Sequence, residues 1–317
     1  MIRVESRKLG LEDCRILADI TMSARKDTPL ESKKTVEEMT NSIVRLSEDD
    51  GFQILVAVDS RKSIVGWTYD YVAFPLMTFI SGFFPLTKEP PEREAITLAL
   101  IEASKRKITE HHHSRLELEL EFPTEDHRTH AIKLIELYKK CGFQFAAEEV
   151  RMHSNLSTIE FPKLEYSPEF TLKGLSEVSY DQLEKAGFQV FEDSKDDLFL
   201  STSHAEQKVT LEHYFDKSEA FIEEATFILM KNDEIIGFII CRERDNETMI
   251  KPIGVIPESR GQGLANYLLV NALKNLKDIG ISKVCLDVSV SNLPARNLYK
   301  KHNFSDVSFK QFYYWSP

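Results

Sequence analysis

From Ile253 to Tyr267 the sequence reads Ile-Gly-Val-Ile-Pro-Glu-Ser-Arg-Gly-Gln-Gly-Leu-Ala-Asn-Tyr. An apolar, β-favouring run ends at Pro257, and a short loop with two glycines follows it. Leucines and alanines then recur at helical spacing from Leu264 to Leu276. We therefore predict a strand, a glycine loop and the first turn of a helix in direct succession.

A junction of this kind can bind an anion. The first N–H groups of a helix have no partner within the helix, and the helix dipole places partial positive charge there. Gly261 and Gly263 let the backbone approach a bulky phosphate and adopt dihedral angles that other residues avoid. Arg260 adds a positive charge beside them. We expect this loop to bind a pyrophosphate.

Two common nucleotide-binding motifs do not fit. The Rossmann pattern needs a third glycine where this chain has Asn266. The Walker pattern needs Gly-Lys-Ser/Thr, whereas Leu264 and Ala265 follow the last glycine. The missing glycine, together with the lack of a positioned ribose-binding acid, also disfavours an NAD-type dehydrogenase.

The motif resembles the Arg/Gln-x-x-Gly-x-Gly/Ala signature of the GNAT superfamily of acyl-CoA-dependent N-acyltransferases. It reads here as Arg260-Gly261-Gln262-Gly263-Leu264-Ala265, within the familiar variant Val-x-Pro-x-x-Arg-Gly-x-Gly-Leu-Ala that begins at Val255. The resemblance implies that acetyl-CoA binds here as co-substrate. The expected cofactor-binding residues are Ile253, Val255, Arg260, Gly261, Gln262, Gly263, Leu264, Ala265 and, further along the chain, Asn292.

A second run, from Leu286 to Tyr299, resembles Leu-Glu-Val-x-x-x-Asn-x-x-Ala-x-x-Leu-Tyr of GNAT enzymes, especially those that acetylate the N-terminus of a ribosomal protein. The resemblance implies that Asn292 touches the pantetheine arm, that Tyr299 faces the thioester sulfur, and that Asp287 is the base. Each residue has a simpler structural explanation. Asn292 could cap a helix, Tyr299 could belong to the core, and Asp287 could be a solvated strand residue. If Asp287 is not the base, Glu247 is the next candidate for that role.

Acyl transfer to an amine needs groups of these types. An alkylammonium has a pKa of about 10.4, so keeping it neutral at pH 7 costs roughly 4.6 kcal/mol, and a carboxylate can take the proton. A tyrosine hydroxyl stays protonated at pH 7 and can donate to the departing thiolate. A backbone N–H near Val255 is our candidate for stabilising the oxyanion. Direct attack requires no covalent enzyme intermediate.

The chain also repeats itself. Leu137-Tyr-Lys-Lys-Cys-Gly-Phe143 matches Leu298-Tyr-Lys-Lys-His-Asn-Phe304, with Gly142 and Asn303 where a helix ends in a left-handed residue. We predict two tandem GNAT-like α/β domains, each with a mostly antiparallel mixed sheet, a central parallel strand pair and flanking helices. Residues 1–156 would form a degenerate domain, 157–168 a linker and 169–317 the catalytic domain.

The N-terminal copy departs from the pattern at the loop. Ser81 to Pro85 is predicted to be the strand that matches Ile253 to Pro257. Under that alignment, Lys88-Glu-Pro-Pro-Glu92 replaces the glycine loop. Prolines supply no N–H donors, and two carboxylates would repel a pyrophosphate. We therefore expect this copy to have kept the fold and lost the cofactor.

Composition limits the partners. The net charge of −11 disfavours nucleic acid, which needs basic patches. The N-terminus lacks the apolar region of a signal peptide, and the uncharged segment Tyr71–Thr87 reads as buried strands rather than a membrane span. Four scattered cysteines suggest reduced thiols in a cytoplasmic protein. The histidines at positions 111–113 point in different directions on a helix end, so we expect no metal site.

The sequence thus predicts an enzyme that moves an acetyl group from acetyl-CoA to a primary amine in the C-terminal domain. The acceptor is a small molecule or a peptide, and the chain is a monomer or homodimer. The alternative is a non-catalytic protein that binds acyl-CoA as a sensor or scaffold.

Overall fold

The computed structural model describes residues 2–88, 93–161, 167–218, 220–244 and 247–317. It has the predicted mixed α/β architecture. The elements up to residue 155 are β1 (Arg3–Glu5), α1 (Leu11–Arg25), α2 (Val36–Glu48), β2 (Phe52–Val58), β3 (Ile64–Tyr71), β4 (Met77–Ile80), β5 (Leu86–Thr87), α3 (Arg93–Glu110), β6 (Arg115–Phe122), α4 (Glu125–Lys140) and β7 (Gln144–Asn155). Those that follow are β8 (Phe170–Lys173), α5 (Tyr180–Glu192), α6 (Asp197–Leu200), α7 (His204–Tyr214), β9 (Phe227–Lys231), β10 (Glu234–Arg244), β11 (Glu247–Val255), α8 (Leu264–Asp278), β12 (Lys283–Ser289), α9 (Leu293–Lys301) and β13 (Ser305–Trp315).

The chain divides into two compact units. The first unit comprises Met1–Ala146 and Lys310–Pro317. Its sheet has the order β1-β2-β3-β4-β6-β13, in which β4 and β6 run parallel while β1, β2, β3 and β4 pair antiparallel in succession. Helix α1 packs over β3 around the buried Trp67, and α3 covers the other face through Ile96 and Leu100.

The second unit comprises Ala147–Phe309. Its sheet has the order β8-β9-β10-β11-β12-β7, and β11 and β12 form the parallel pair. One face packs on α8, whose leucines include Leu268, Leu269 and Leu273. The other face packs on α5 and α7 through Leu183, Val190 and Leu211. Both units therefore show the predicted strand pattern, each with one parallel pair among antiparallel neighbours.

The compact units do not follow the predicted boundary at residues 157–168. Most of β7 lies in the second unit, because its residues from Glu149 to Asn155 pair with β12. In return, the end of β13 lies in the first unit, where the Lys310 ammonium contacts Glu119 of β6 at 2.8 Å. Residues 162–166 of the predicted linker lie outside the described residues.

The repeated helix ends adopt the predicted conformation. Gly142 has φ +86° and Asn303 has φ +60°. The prediction of a strand from Ser81 to Pro85 was wrong, because β4 ends at Ile80 and β5 begins at Leu86. Phe83 between them has φ +61°, which a strand cannot accommodate.

Two further features concern the cysteines and the helices. All four cysteines are buried and none forms a disulfide. Among the helices of the described ranges, none has both the length and the apolar character that crossing a bilayer requires.

Candidate active site

The glycine loop lies between β11 and α8, as the sequence predicts. A short 3₁₀ turn, Pro257–Ser259, follows the strand, and Gly261 and Gly263 both adopt left-handed conformations, with φ +76° and +78°. Gly263 is the N-cap of α8, and Leu264 anchors the first turn in the core. A Cβ atom added at Gly261 would meet nothing within 4 Å. The loop therefore presents open backbone at the start of a helix.

Arg260 is the member of the motif whose side chain is already engaged. Its guanidinium donates hydrogen bonds to the backbone carbonyls of Val255 (3.0 Å), Val190 (2.9 Å) and Asp193 (2.7 Å). The Asp193 carboxylate is a further partner at 3.2 Å. Arg260 thus ties the loop to the strand before it and to the C-terminal end of α5. Its direct contact with a phosphate stays a prediction.

A glycine that sequence reasoning missed sets the packing under this loop. A Cβ atom on Gly254 would lie 2.2 Å from Cγ1 of Val190 on α5. Val190 is 4% exposed and branched at Cβ, so it cannot turn away as a long flexible side chain would. The absent side chain lets the last turn of α5 rest on β11, and this turn is where Arg260 is anchored.

We expect Gly254→Ala to destabilise the protein by about 1–3 kcal/mol, because the added methyl group overpacks a closed contact. Chemical unfolding curves of the wild type and the variant measure the loss. Adding Val190→Ala to the Gly254→Ala protein should restore much of that loss, since the two positions are in direct contact. Equal stability of wild type and Gly254→Ala would show that α5 does not rest on Gly254.

Strands β11 and β12 pair near their beginnings, where Met249 lies opposite Cys285. A bulge follows in β11, where the register against β10 shifts between the pairs Ile250–Cys241 and Ile253–Ile239. Ile253 is half-buried beyond the bulge, and Val255 is buried at the strand end. The bulge bends β11 just before the glycine loop.

Tyr299 lies on α9, 6% exposed and packed against Phe304. Burial raises the pKa of its hydroxyl well above the usual 10, and the nearby carboxylate of Asp196 raises it further. The hydroxyl is therefore a proton donor at neutral pH. Tyr138, its counterpart in the first unit, is also buried, but its hydroxyl donates to the Phe84 carbonyl at 2.8 Å.

No motif in the sequence singles out Asp196, which lies near Tyr299. It caps α6 by accepting a hydrogen bond from the Phe199 N–H, and burial raises the pKa of its carboxyl despite that bond. Its neighbour Asp197 accepts hydrogen bonds from the hydroxyls of Ser289 (2.7 Å) and Ser291 (2.6 Å). The two aspartates bring α6 to the end of β12 and to Tyr299.

Asp287, the predicted base, is held in an ion pair. Its two oxygens accept hydrogen bonds from Nε and Nη2 of Arg151 at 2.9 and 3.0 Å, and its side chain is 5% exposed. The pairing follows from register, because Arg151 on β7 lies directly opposite Asp287 on β12. A carboxylate in a bidentate pair with arginine resists protonation.

A half-buried lysine lies among these acids. Lys251, at the bulge of β11, has a raised pKa, chiefly through Tyr214 and then through the carboxylates of Glu149, Asp287 and Asp196, which outweigh its burial. Its ammonium lies 5.5 Å from the centre of the Tyr214 ring. Burial in turn raises the pKa of Tyr214 to about 12. The lysine therefore stays charged and balances the acidic residues around the bulge.

The remaining predicted cofactor residues lie at the starts of two helices, α8 and α9. Asn292 is the N-cap of α9 and accepts a hydrogen bond from the Ala295 N–H at 3.3 Å, so its structural role is realised. Gln262 is exposed in the loop and Ala265 is half-buried in the first turn of α8. In the N-terminal copy, Glu89 to Glu92 of the matching stretch lie outside the described residues.

Comparison with known proteins agrees with this geometry. Residues 187–304 match the model of the acetyltransferase (GNAT) family. An N-alpha-acetyltransferase from Sulfolobus acidocaldarius is 30% identical over 117 residues, which cover 33% of this chain and 67% of that protein. The chain belongs to the GNAT family. A [ribosomal protein bS18]-alanine N-acetyltransferase of Haemophilus influenzae is 36% identical over 89 residues, or 28% of this chain. The chain spans about 60% of the length of the bS18-alanine acetyltransferases from Haemophilus influenzae and Haemophilus ducreyi.

Solved structures extend the GNAT likeness to the whole chain. A GCN5-related N-acetyltransferase from Sphaerobacter thermophilus has a TM-score of 0.62 at 15% identity, covering 99% of this chain and 95% of that one. A tandem GNAT protein from the clavulanic acid biosynthesis pathway has a TM-score of 0.54 at 13% identity and covers 100% of this chain and 98% of that one. At these identities the likeness shows the fold, and it agrees with a tandem arrangement of two GNAT-like units.

Proposed function

We propose that the chain transfers an acetyl group from acetyl-CoA to a primary amine by direct attack, within residues 169–317. The observation that carries this proposal is the open glycine loop at the start of α8, with Gly261 and Gly263 left-handed and unobstructed space at Gly261. The GNAT family of the chain supports it, as do relatives that are named N-acetyltransferases.

In this proposal, the backbone from Gly261 to Ala265 receives the pyrophosphate through its N–H groups and the positive end of the helix dipole. Arg260 holds the loop in position through its hydrogen bonds to the backbone carbonyls of Val255 and Val190. The pantetheine arm lies along Ile253 and Val255 and reaches Asn292. These residues bind and orient the donor, so that its thioester lies near the bulge of β11.

Tyr299 is the proposed general acid. When the tetrahedral intermediate collapses, the C–S bond breaks and the thiolate of CoA needs a proton or a hydrogen bond. Burial and Asp196 hold the Tyr299 pKa high, so the hydroxyl is protonated when the thiolate forms. The amine loses its proton to a carboxylate or to water, and Asp287 is the proposed carboxylate.

The acceptor is a primary amine of a small molecule or a peptide. Relatives act on the alanine of ribosomal protein bS18 or are named N-alpha-acetyltransferases, so peptide α-amino groups are the first acceptors to test. We further propose a cytoplasmic protein, a monomer or homodimer, whose N-terminal copy (residues 1–156 in the sequence-based division) has lost cofactor binding. A panel of peptides, polyamines and aminoglycosides, with CoA release as the readout, tests the activity.

One observation favours a second candidate function, which is binding of acyl-CoA without turnover. Arg151 occupies both oxygens of Asp287, and this pairing weakens the carboxylate as a base. Under this alternative, the protein would bind acetyl-CoA and release no CoA with any amine of the panel beyond slow hydrolysis.

Tyr299→Phe is expected to lower kcat about 100-fold and to leave the Kd for acetyl-CoA nearly unchanged, because the hydroxyl acts only as the thiolate departs. Steady-state kinetics and a binding titration measure the two quantities. The loss should shrink with an acyl donor whose leaving group needs no proton. The matched control is Tyr138→Phe in the first unit, which removes the buried hydroxyl of the corresponding tyrosine and should leave kcat intact. A Tyr299→Phe enzyme with wild-type turnover would show that Tyr299 has only a packing role and is not the general acid.

A further inference from the structure

Three strands of the second unit place potential metal ligands side by side. His153 on β7 lies directly opposite Cys285 on β12, and Met249 on β11 lies opposite Cys285 on its other side. Residues directly opposite one another point to the same face of a sheet. Glu247, two residues before Met249, points to that face as well. The register therefore gathers an imidazole, a thiol, a thioether and a carboxylate.

The ligand atoms of His153, Glu247 and Cys285 all lie within 4.8 Å of one another. The thiol of Cys285 is 3.8 Å from Oε2 of Glu247, and Nε2 of His153 is 4.0 Å from Oε1 of the same carboxylate. In a tetrahedral zinc site, neighbouring ligand atoms are about 3.5 Å apart. Rotation of the partly exposed Glu247 side chain would bring its carboxylate to that spacing from the other two ligand atoms.

His153 and Cys285 in this group have poorly satisfied polar atoms. Nε2 of His153 is buried and makes no hydrogen bond among the described residues. Cys285 is buried, and its thiol is only a weak donor to the carboxylate. Buried polar atoms normally have a partner, and a metal ion coordinated by the three side chains would supply one.

We propose that His153, Glu247 and Cys285 form a binding site for a thiophilic divalent cation of the Zn²⁺ class. Sulfur, imidazole nitrogen and carboxylate oxygen are the three ligand types that zinc takes in proteins. Three protein ligands leave a fourth position, which water or the thioether of Met249 can fill. The proposal goes beyond acetyl transfer and does not depend on it.

The charges around the site are compatible with a cation. Arg151 is a positive group at the site, with Nη1 3.7 Å from Oε2 of Glu247, but its Nε and Nη2 are bound to Asp287. Burial raises the pKa of the Cys285 thiol to about 12, and the metal would have to displace this proton. Ion binding would thus bring a thiolate and a carboxylate to offset the two charges of the metal.

The test is a titration of the full-length, chelator-treated protein with Co²⁺, a spectroscopic substitute for zinc. We expect one equivalent to produce a thiolate-to-cobalt charge-transfer band, and Zn²⁺ to remove it. Cys285→Ser should abolish the band, and His153→Gln and Glu247→Gln should each weaken Co²⁺ binding at least tenfold. Because His153 and Glu247 are partly exposed, these two variants keep the test valid if Cys285→Ser fails to fold.

The matched control is Cys14→Ala, which removes a buried thiol of the first unit and should leave the band unchanged. Co²⁺ held by histidines alone would give no thiolate band. Absence of the band in the wild type, its persistence in Cys285→Ser, or unchanged affinity in the His153 and Glu247 variants would each overturn the proposal.

Discussion

Gly261→Glu is expected to abolish acetyl-CoA binding in a protein that still folds. The Cβ position of Gly261 faces open space, so a glutamate fits sterically, but its carboxylate would project toward the site proposed for the phosphates. The left-handed backbone at φ +76° would also be strained by a side chain. Each contact at a helix N-terminus contributes about 0.3–1 kcal/mol, so losing several and adding repulsion should weaken binding by orders of magnitude.

Calorimetric titration with acetyl-CoA measures this effect, and the wild type should saturate at one site per chain. Gly280→Glu is the matched control. Gly280 follows the other end of the same helix, has φ +91° and also faces open space, so it bears the same strain without touching the loop. A Gly261→Glu protein that binds acetyl-CoA with wild-type affinity would contradict the loop assignment. Two sites per chain in the wild type would instead make the N-terminal copy a second acetyl-CoA site.

The second large effect concerns a buried acid of the first unit. Asp70 on β3 is 1% exposed, and both its carboxylate oxygens are buried without a well-formed hydrogen bond in the described part of the chain. Burial raises its pKa to about 7, which the nearby Ser104 hydroxyl only partly offsets. An unfolded chain would return this pKa to about 3.9. The folded state therefore binds the proton more tightly than the unfolded state.

The proton bound to Asp70 makes its full contribution to the free energy of unfolding below pH 4, and this contribution is lost as the pH rises toward 7 and above. With about three units between the two pKa values, the loss amounts to roughly 4 kcal/mol. Asp70→Asn should remove this dependence, so the variant should gain stability relative to the wild type as the pH rises from 4 to 8. Both tryptophans, Trp67 and Trp315, belong to the first unit, so fluorescence during urea unfolding reports on it selectively. If the free energies of unfolding of wild type and Asp70→Asn changed with pH in the same way, Asp70 would be charged in the folded state, contrary to this prediction.

The sequence predicted the glycine loop well because its parts are adjacent in the chain. A strand end, two glycines and an apolar helix face are signals within fifteen residues, and local conformation follows from them. The Gly142 and Asn303 helix ends were predictable for the same reason. The Ser81–Pro85 strand was wrong because the repeat was extended by sequence likeness through a segment where Phe83 turns the chain.

The surroundings of the proposed catalytic groups could not be predicted in this way. The pairing of Arg151 with Asp287 depends on strands that are 136 residues apart, and their register was not visible in either segment. The placement of Asp196 beside Tyr299 depends on how α6 packs. The charge of Arg260 is visible in the sequence, but its carbonyl partners at Val190 and Asp193 are not, because they lie 70 and 67 residues away along the chain.

The exchange of strand ends between the compact units has a consequence for biosynthesis. Residues 310–317 belong to the first unit but leave the ribosome only after the whole of 147–309 has been made. The first unit therefore cannot complete its sheet until the second unit has been synthesised, and its edge at β6 stays uncovered until then. Truncation at residue 309 would remove a strand segment from the first unit, although most of that unit lies at the opposite end of the sequence. A gene cut near residue 157 would yield two fragments, and each would lack a strand segment of its own unit.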